Sequence, residues 1–413
     1  MGKRIFWCSI FFTVFGAKAQ LLRNYDFDTS VSARQLVLLN GSLEYGGSAM
    51  ENAIFNALIF GGFIDSSAKE ASLENHKSVN VVGLEGTANA RYYWSPKFNN
   101  ERYKHFMVGV RYGQNYLGSL AYTSDLFRFA FYGNTPFLGK YADFSGSEMR
   151  FIGFQSLGFS VLDKRSQSSL SLNLVGLTSY VRGSLGDQNP MKFYYTESGD
   201  SLYGICSGAI ERAASPAYFK GLGMSVDFDY RFNALGEESG LVHTMQFSVS
   251  NLGFAFSNRY TSQRIDTSFA FGGYSINDII DRNGLLAPGY SFEDSLTTVN
   301  TASKLILLPL TVQLGNVVGL QSQQILQPTY GFRLTFIQGF IPHVYAGLNA
   351  RIVKGLHLGM CASYGGFSGF KMNTSLVYHR SKFYVGLGSD NVLGLLSKRA
   401  FGQALSIRLR CDI

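Results

Sequence analysis

The stretch Ala404–Ile413, ALSIRLRCDI, alternates almost without fault. Leu405, Ile407, Leu409, Cys411 and Ile413 fall on one side of a strand, and Ser406, Arg408, Arg410 and Asp412 on the other. Side chains in a strand repeat every two residues, so this segment has one apolar and one strongly polar face. A chain ending on such a strand, with an apolar last residue, reads as an outer-membrane β-barrel with lipid outside and water or protein inside.

The rhythm recurs upstream. Between 222 and 233, Leu222, Met224, Val226, Phe228, Tyr230 and Phe232 oppose Gly223, Ser225, Asp227, Asp229, Arg231 and Asn233. A soluble sandwich rarely sets two Asp and an Arg opposite an apolar file in one strand, whereas a hydrated lumen tolerates them. Val82 to Trp94 forms a similar file, with Glu85, Thr87, Asn89 and Arg91 between its members. Further strands are expected at 35–45, 106–112, 116–123, 126–133, 149–161, 168–181, 241–254, 304–316, 329–338, 343–353, 355–364, 369–380 and 382–388. Single-chain bacterial barrels carry an even number of strands. The expected fold is therefore all-β: one antiparallel transmembrane barrel of about fourteen strands, with twelve to sixteen allowed.

Composition agrees. Gly (46), Tyr (24) and Phe (35) are abundant while Pro (8) is scarce, as many strands with tight turns and aromatic girdles require. Tyr92, Trp94, Tyr112, Tyr230, Phe232, Tyr364, Tyr378 and Phe383 sit near expected strand ends and suit such girdles. Residues 1–19 read as a signal peptide. Lys3 and Arg4 precede the apolar run Ile5–Gly16, and Ala17-Lys18-Ala19 forms the cleavage site. Cleavage would lower the formal net charge of +8 by three. No later apolar run is long enough for a spanning helix. The Lys and Arg residues form no run, which speaks against nucleic-acid binding. Cys206, Cys361 and Cys411 are too scattered for a zinc site and read as free thiols.

Three segments interrupt the pattern. Residues 20–77 precede the barrel proper at 78–413, and Met50–Phe60 within them reads as a short apolar helix stopped by Gly61-Gly62. Ile54, Phe55, Leu58 and Phe60 would either plug the lumen as a hatch or belong to an ordinary connection. Residues 184–220 hold a small hairpin about Ser198-Gly199-Asp200, and 255–303 hold a short helix at Asn277–Arg282. Loops of that length are the expected extracellular cap.

Catalytic chemistry finds little support. No nucleophile elbow, P-loop, CxxC or HExxH occurs, and the six histidines stand singly. A Ser–His pair built across strands, as in a lipid hydrolase, leaves no trace in spacing. Asp227 and Asp229 lie about 7 Å apart on one file. They would serve acid–base work or calcium, or more simply a lumen ladder balanced by Arg231. Glu85, Arg91, Asp227, Asp229, Arg231, Arg408 and Arg410 are thus the lumen-facing candidates. No catalytic, metal or cofactor site is expected.

Several motifs resemble those of Bacteroidota outer-membrane barrels related to the long-chain fatty-acid transporter superfamily, a group with a large uncharacterised family of this length. They are Ser250-Asn251-Leu252-Gly253 at a strand corner, Leu308-Pro309-Leu310 at a strand entry, Gly221–Asp227 after a long loop, and Asp390-Asn391-Val392-Leu393-Gly394 before the last strand. The resemblance covers roughly residues 30–413 and implies a barrel in the outer membrane. An Asn-Pro-Ala motif is missing near the start, where Asn40-Gly41-Ser42 is nearest, so no binding residues carry over. The expected function is to bind or pass small hydrophobic molecules, in contact with outer-membrane lipid. The alternative is a non-transporting accessory barrel for secretion or envelope assembly, with an envelope protein as partner.

Overall fold

The computed structural model describes residues 25–26, 33–97, 100–234, 244–271, 297–322 and 324–413. Its wall is built from β1 (Gln35–Gly47), β2 (Val79–Trp94), β3 (Phe106–Thr123), β4 (Glu148–Asp163), β5 (Ser169–Leu185), β6 (Leu202–Ala213), β7 (Gly221–Asn233) and β8 (Thr244–Phe271). It continues through β9 (Thr297–Leu307), β10 (Thr311–Asn316), β11 (Leu326–Thr335), β12 (Ile341–Val353), β13 (Leu356–Gly366), β14 (Phe370–Arg380), β15 (Phe383–Ser389) and β16 (Gly402–Asp412). β6 and β7 lie end to end against β5 and β8, and β9 and β10 end to end against β8. Sixteen segments thus fill fourteen positions. β16 pairs with β1 from Leu36↔Asp412 to Gly46↔Gly402, which closes an antiparallel barrel.

Burial follows the two-residue rhythm. On β16, Leu405 is 58% exposed in the isolated chain, while its neighbour Ser406 is 2% and Arg410 5% exposed. The exposed apolar file continues through Leu39 and Leu43 on β1 and Leu170, Leu172 and Leu174 on β5. Side chains shielded from solvent in this chain are often polar, and those left bare are apolar, the inverse of a soluble protein. Among the described residues no helix is long and apolar enough to cross a membrane. Tyr92 stacks on Trp94 at 5.8 Å, and Tyr230 on Phe232 at 5.8 Å, on outward files at one end of the wall.

Three expectations change. The 126–133 segment is not a strand but lies in helix α3 (Ser124–Tyr132), since the Thr123 side chain accepts the Leu126 N–H and caps it. β3 runs unbroken through 116–123. The loop expected from 255 is a strand as far as Phe271, because Asn251 takes a left-handed turn (φ 61°) inside β8 and the strand resumes. Asn251 is therefore a bulge rather than a strand exit. The helix expected at Asn277–Arg282 lies outside the described residues. The hairpin about Ser198–Asp200 is present, pairing Lys192–Tyr195 with the start of β6.

Helices α1 (Asn52–Phe60) and α2 (Ser66–Glu74) join β1 to β2 at the end of the wall opposite the C-terminal Asp412. α1 does not enter the lumen. Ile54 and Phe55 pack on Tyr45, Val82, Leu84, Leu120 and Tyr122, all on outward files of β1–β3, while Leu58 and Phe60 are exposed. The hatch reading fails for a steric reason: Gln35–Gly47 is itself the first wall strand, so the chain leaves it at the rim with α1 on the outer side. The 20–77 segment thus contributes a strand to the barrel.

Candidate functional site: a lumen closed in layers

The inward files converge on three layers. Nearest the end where Asp412 lies, Leu36, Tyr93, Met107 and Leu162 form an apolar patch. A second patch joins Val318 and Leu320, from the β10–β11 connection, to Val377 and Tyr384 of β14 and β15. The pairing of Tyr25–Asp26 with Val318–Gly319 brings the N-terminal segment to the same mouth.

Above this lies a buried polar layer. Arg111 of β3 reaches Asp227 of β7 past two intervening wall positions, and both side chains are 5% exposed or less. Asp227 also accepts from Asn173 Nδ2 (2.8 Å) and from the Asn251 backbone N–H (2.7 Å). The bulge at Asn251 thus turns a backbone donor onto the carboxylate. Arg111 donates to Asn89 Oδ1 at 3.1 Å. Arg91 Nη1 lies 3.6 Å from Asp229 Oδ2. Arginines of β2 and β3 thus lie against the two aspartates, and Arg231 of β7 donates to Gln167 Oε1 at 2.9 Å. A carboxylate engaged by a cation in this way fits the lumen ladder better than the acid–base or calcium reading. Arg410 holds Asp412 through two bonds of 2.7 and 2.8 Å, and register places Arg408 opposite Asn40 on the inward file.

Glu85 pairs with Arg333 of β11, which stands seven positions away in a ring of fourteen and is thus diametrically opposite. A round ring of fourteen strands would be roughly 28 Å across at ordinary spacing and tilt. An Arg and a Glu cannot span that distance, so the barrel is flattened along this diameter. Lys371 of β14 donates to Glu44 of β1 at 2.6 Å, past the two intervening strands β15 and β16.

The third layer is apolar and lies beneath the rim. Wall residues Leu117, Ile152, Phe154, Val175, Leu177 and Ile306 face inward. Two turns fold in to meet them, bringing Ile337 and Phe340 from β11–β12 and Phe367 from β13–β14. Gly365, Gly366 and Gly369 have φ of 110°, 72° and 69°, the left-handed region that lets the second turn bend inward. Phe367 lies flat on Gly83 of β2, where no Cβ would fit, and Ser368 rests on Gly46 of β1 in the same way. In the other turn Gly339 receives the Val81 side chain of β2, so each inward turn is fixed to the β1–β2 wall by a side chain on a glycine and by an ion pair just behind it. Toward the rim, Tyr260 donates to Glu211 at 2.7 Å and Lys304 lies 3.2 Å from the same carboxylate.

Sequence reading marks Glu85, Arg91, Asp227, Asp229, Arg231, Arg408 and Arg410 as lumen candidates, and the register aligns them on the inward files of β2, β7 and β16. It misses Glu44, Arg111, Arg333, Lys371 and Phe367. The four charged ones carry a local signal, each standing between two apolar residues of an outward file: Glu44 between Leu43 and Tyr45, Arg111 between Val110 and Tyr112, Arg333 between Phe332 and Leu334, Lys371 between Phe370 and Met372. The bonds that His76, His357 and His379 make go to the Ser72 carbonyl, Asn349 and the Leu320 carbonyl, not to a serine hydroxyl. Among the described residues no cluster of His, Cys, Asp and Glu could hold a metal.

A closed antiparallel ring, bare and apolar outside and polar or packed inside, defines the class as a bacterial outer-membrane β-barrel. No protein-family model matches the chain, and no curated protein does. Among solved structures it is similar to a deletion mutant of the monoaromatic hydrocarbon channel TodX, at 10% identity and a TM-score of 0.44, covering 92% of this chain and 91% of that one. It is also similar to the P. putida toluene transporter TodX, at 10% identity and 0.38, covering 92% and 88%. The translocator domain of the Neisseria meningitidis autotransporter NalP matches at 8% identity and 0.31, covering 94% and 91%.

Proposed function

We propose that this barrel binds and passes small hydrophobic molecules across the outer membrane, and that the inward turns are its gate. The carrying observation is the apolar inner wall around Phe154 and Leu177. A water-filled pore has no use for inward Leu, Ile and Phe, whereas an apolar passenger does. In the closed form Ile337, Phe340 and Phe367 occupy that place themselves. Displacing the Phe367 turn costs the Gly83 contact and the Lys371–Glu44 pair, so closure is a barrier of finite size and not a covalent seal. The signal peptide reading of residues 1–19 and the resemblance to the fatty-acid transporter superfamily agree with this role.

Uptake into vesicles tests it. Fatty acid should enter faster with the protein than without, small sugars should not, and Phe367→Ala should raise the fatty-acid rate further. Equal rates with and without protein, for Phe367→Ala as well, would remove the transport reading.

The closed layers also favour a second reading, an accessory barrel for secretion or envelope assembly that carries nothing. It requires a stoichiometric envelope partner on purification from native membranes.

A further inference from the structure

The described outer surface carries an apolar patch that belongs to no strand. Leu58, Ile59 and Phe60 of α1, with Phe63 just beyond it, are bare, and so are Leu395 and Leu396 of α4 (Val392–Leu396). Phe63 is 89% and Leu396 81% exposed. The two helices are held together. Asn52, in the first turn of α1, donates to the carbonyls of Gly394 (3.0 Å) and Ser397 (3.2 Å) and accepts from the Gly402 N–H (2.7 Å). Bare apolar groups of this size on a rigid support mark a contact surface.

Height along the wall indicates what covers it. Trp94 belongs to the aromatic girdle at the lower end of β2, and Leu84 lies ten residues further along the same outward file. At the usual rise and tilt those ten residues climb about 25 Å, the thickness of a barrel's apolar band. Leu84 and its partner Tyr45 are the residues on which α1 rests. The patch therefore begins where the lipid-facing band ends, above Leu43 and Leu405, which are exposed register partners on the same wall. Lys398 and Arg399, both exposed, follow α4 after its cap residue Ser397, as cations do beside interfacial helices.

We infer that α1 and α4 form a flange that lies in the outer-leaflet interface, its apolar edge among acyl chains and Lys398 and Arg399 toward anionic headgroups. The flange rests on the barrel's place in a membrane and is independent of transport, so failure of either leaves the other standing. It would fix the barrel's height on the β16–β1–β2 side, opposite the β8–β10 wall.

The test uses the full chain with Trp7→Phe and Trp94→Phe, carrying either Phe63→Trp or, as a control within the band, Leu43→Trp. Both are reconstituted into vesicles whose acyl chains carry bromine near the headgroup. Loss of emission at both positions is the expected result. Loss at Leu43→Trp with none at Phe63→Trp would overturn the flange. If that result comes with concentration-dependent cross-linking through position 63, the patch is instead a contact between two copies. Phe63 is so exposed that its replacement leaves the packing of α1 intact.

Discussion

The outer wall and the lumen of this barrel obey different rules, though the same strands build both. Outside, each position answers to one environment, and any apolar side chain of moderate size will do. Inside, several charged residues answer to a particular partner on a non-adjacent strand: Arg111 to Asp227, Glu85 to Arg333, Lys371 to Glu44. Error on the outer face is therefore costly only by polarity, whereas error in the lumen is costly by mismatch.

The largest expected effect follows from that mismatch. Arg111→Ala leaves Asp227 buried with two neutral donors and no cation, a loss of about 3–5 kcal/mol. Unfolding in urea from lipid vesicles would measure it. Adding Asp227→Asn should recover most of the loss, because the second change removes the stranded charge. If the double variant is no better than the single one, the two residues do not act as a pair.

An outward change should cost somewhat less and show no partner. Leu172→Arg places a charge on the lipid face of β5, at about 2–4 kcal/mol near the middle of the membrane. The same change at Leu138, which is exposed but lies outside the wall strands, should cost almost nothing. Equal losses at the two sites would mean that the band is not where the files place it.

This contrast also sorts what the sequence discloses. The outward files of β7 and β16 can be read because hydrocarbon imposes the same demand at every second residue, a purely local rule. Strand number follows from counting such files. The error at 126–133 has a local cause as well: Leu126, Phe127, Phe129 and Phe131 are compatible with either period, and the Thr123 cap decides for helix. The motif at Asn251 does not disclose the bulge, since an Asn that takes a positive φ ends a strand or kinks one equally well. Lumen pairing is illegible for a different reason. Nothing near Lys371 in sequence points to Glu44, and the flattening that lets Glu85 meet Arg333 belongs to the whole ring. The sequence shows α1 as a helix, but its side of the wall is decided by the exit direction of β1.

The gate sits between these regimes, and its variants should change rate more than stability. Lys371→Met removes the ion pair behind the Phe367 turn but leaves the side chain's length. Because Glu44 then lacks its cation, the closed turn is weakened while the outer wall is untouched. Fatty-acid entry into vesicles should rise, with a smaller increase than for Phe367→Ala. A fall in stability without a change in entry would assign Lys371 to the scaffold alone.

The smallest effect concerns the cap outside the wall. His76 follows α2 and lies against the rings of Phe127 (4.3 Å) and Tyr122 (5.5 Å), with its Nδ1 2.6 Å from the Ser72 carbonyl. Burial is the main cause that holds its pKa below the ordinary value of 6.5, and nearby Arg128 lowers it further. A histidine depressed in the folded state binds its proton more readily when released. The cap's stability is thus level above about pH 6.5 and declines as pH falls below it. Protection over α2 and α3, measured as exchange relative to the intrinsic amide rate, should fall between pH 7 and pH 5, while protection in β16 stays level. His76→Gln should abolish the difference, since it keeps a polar ring-sized group without a titrating nitrogen. If exchange in the wall responds as strongly as the cap, the two regions are not separable and His76 acts through the whole barrel.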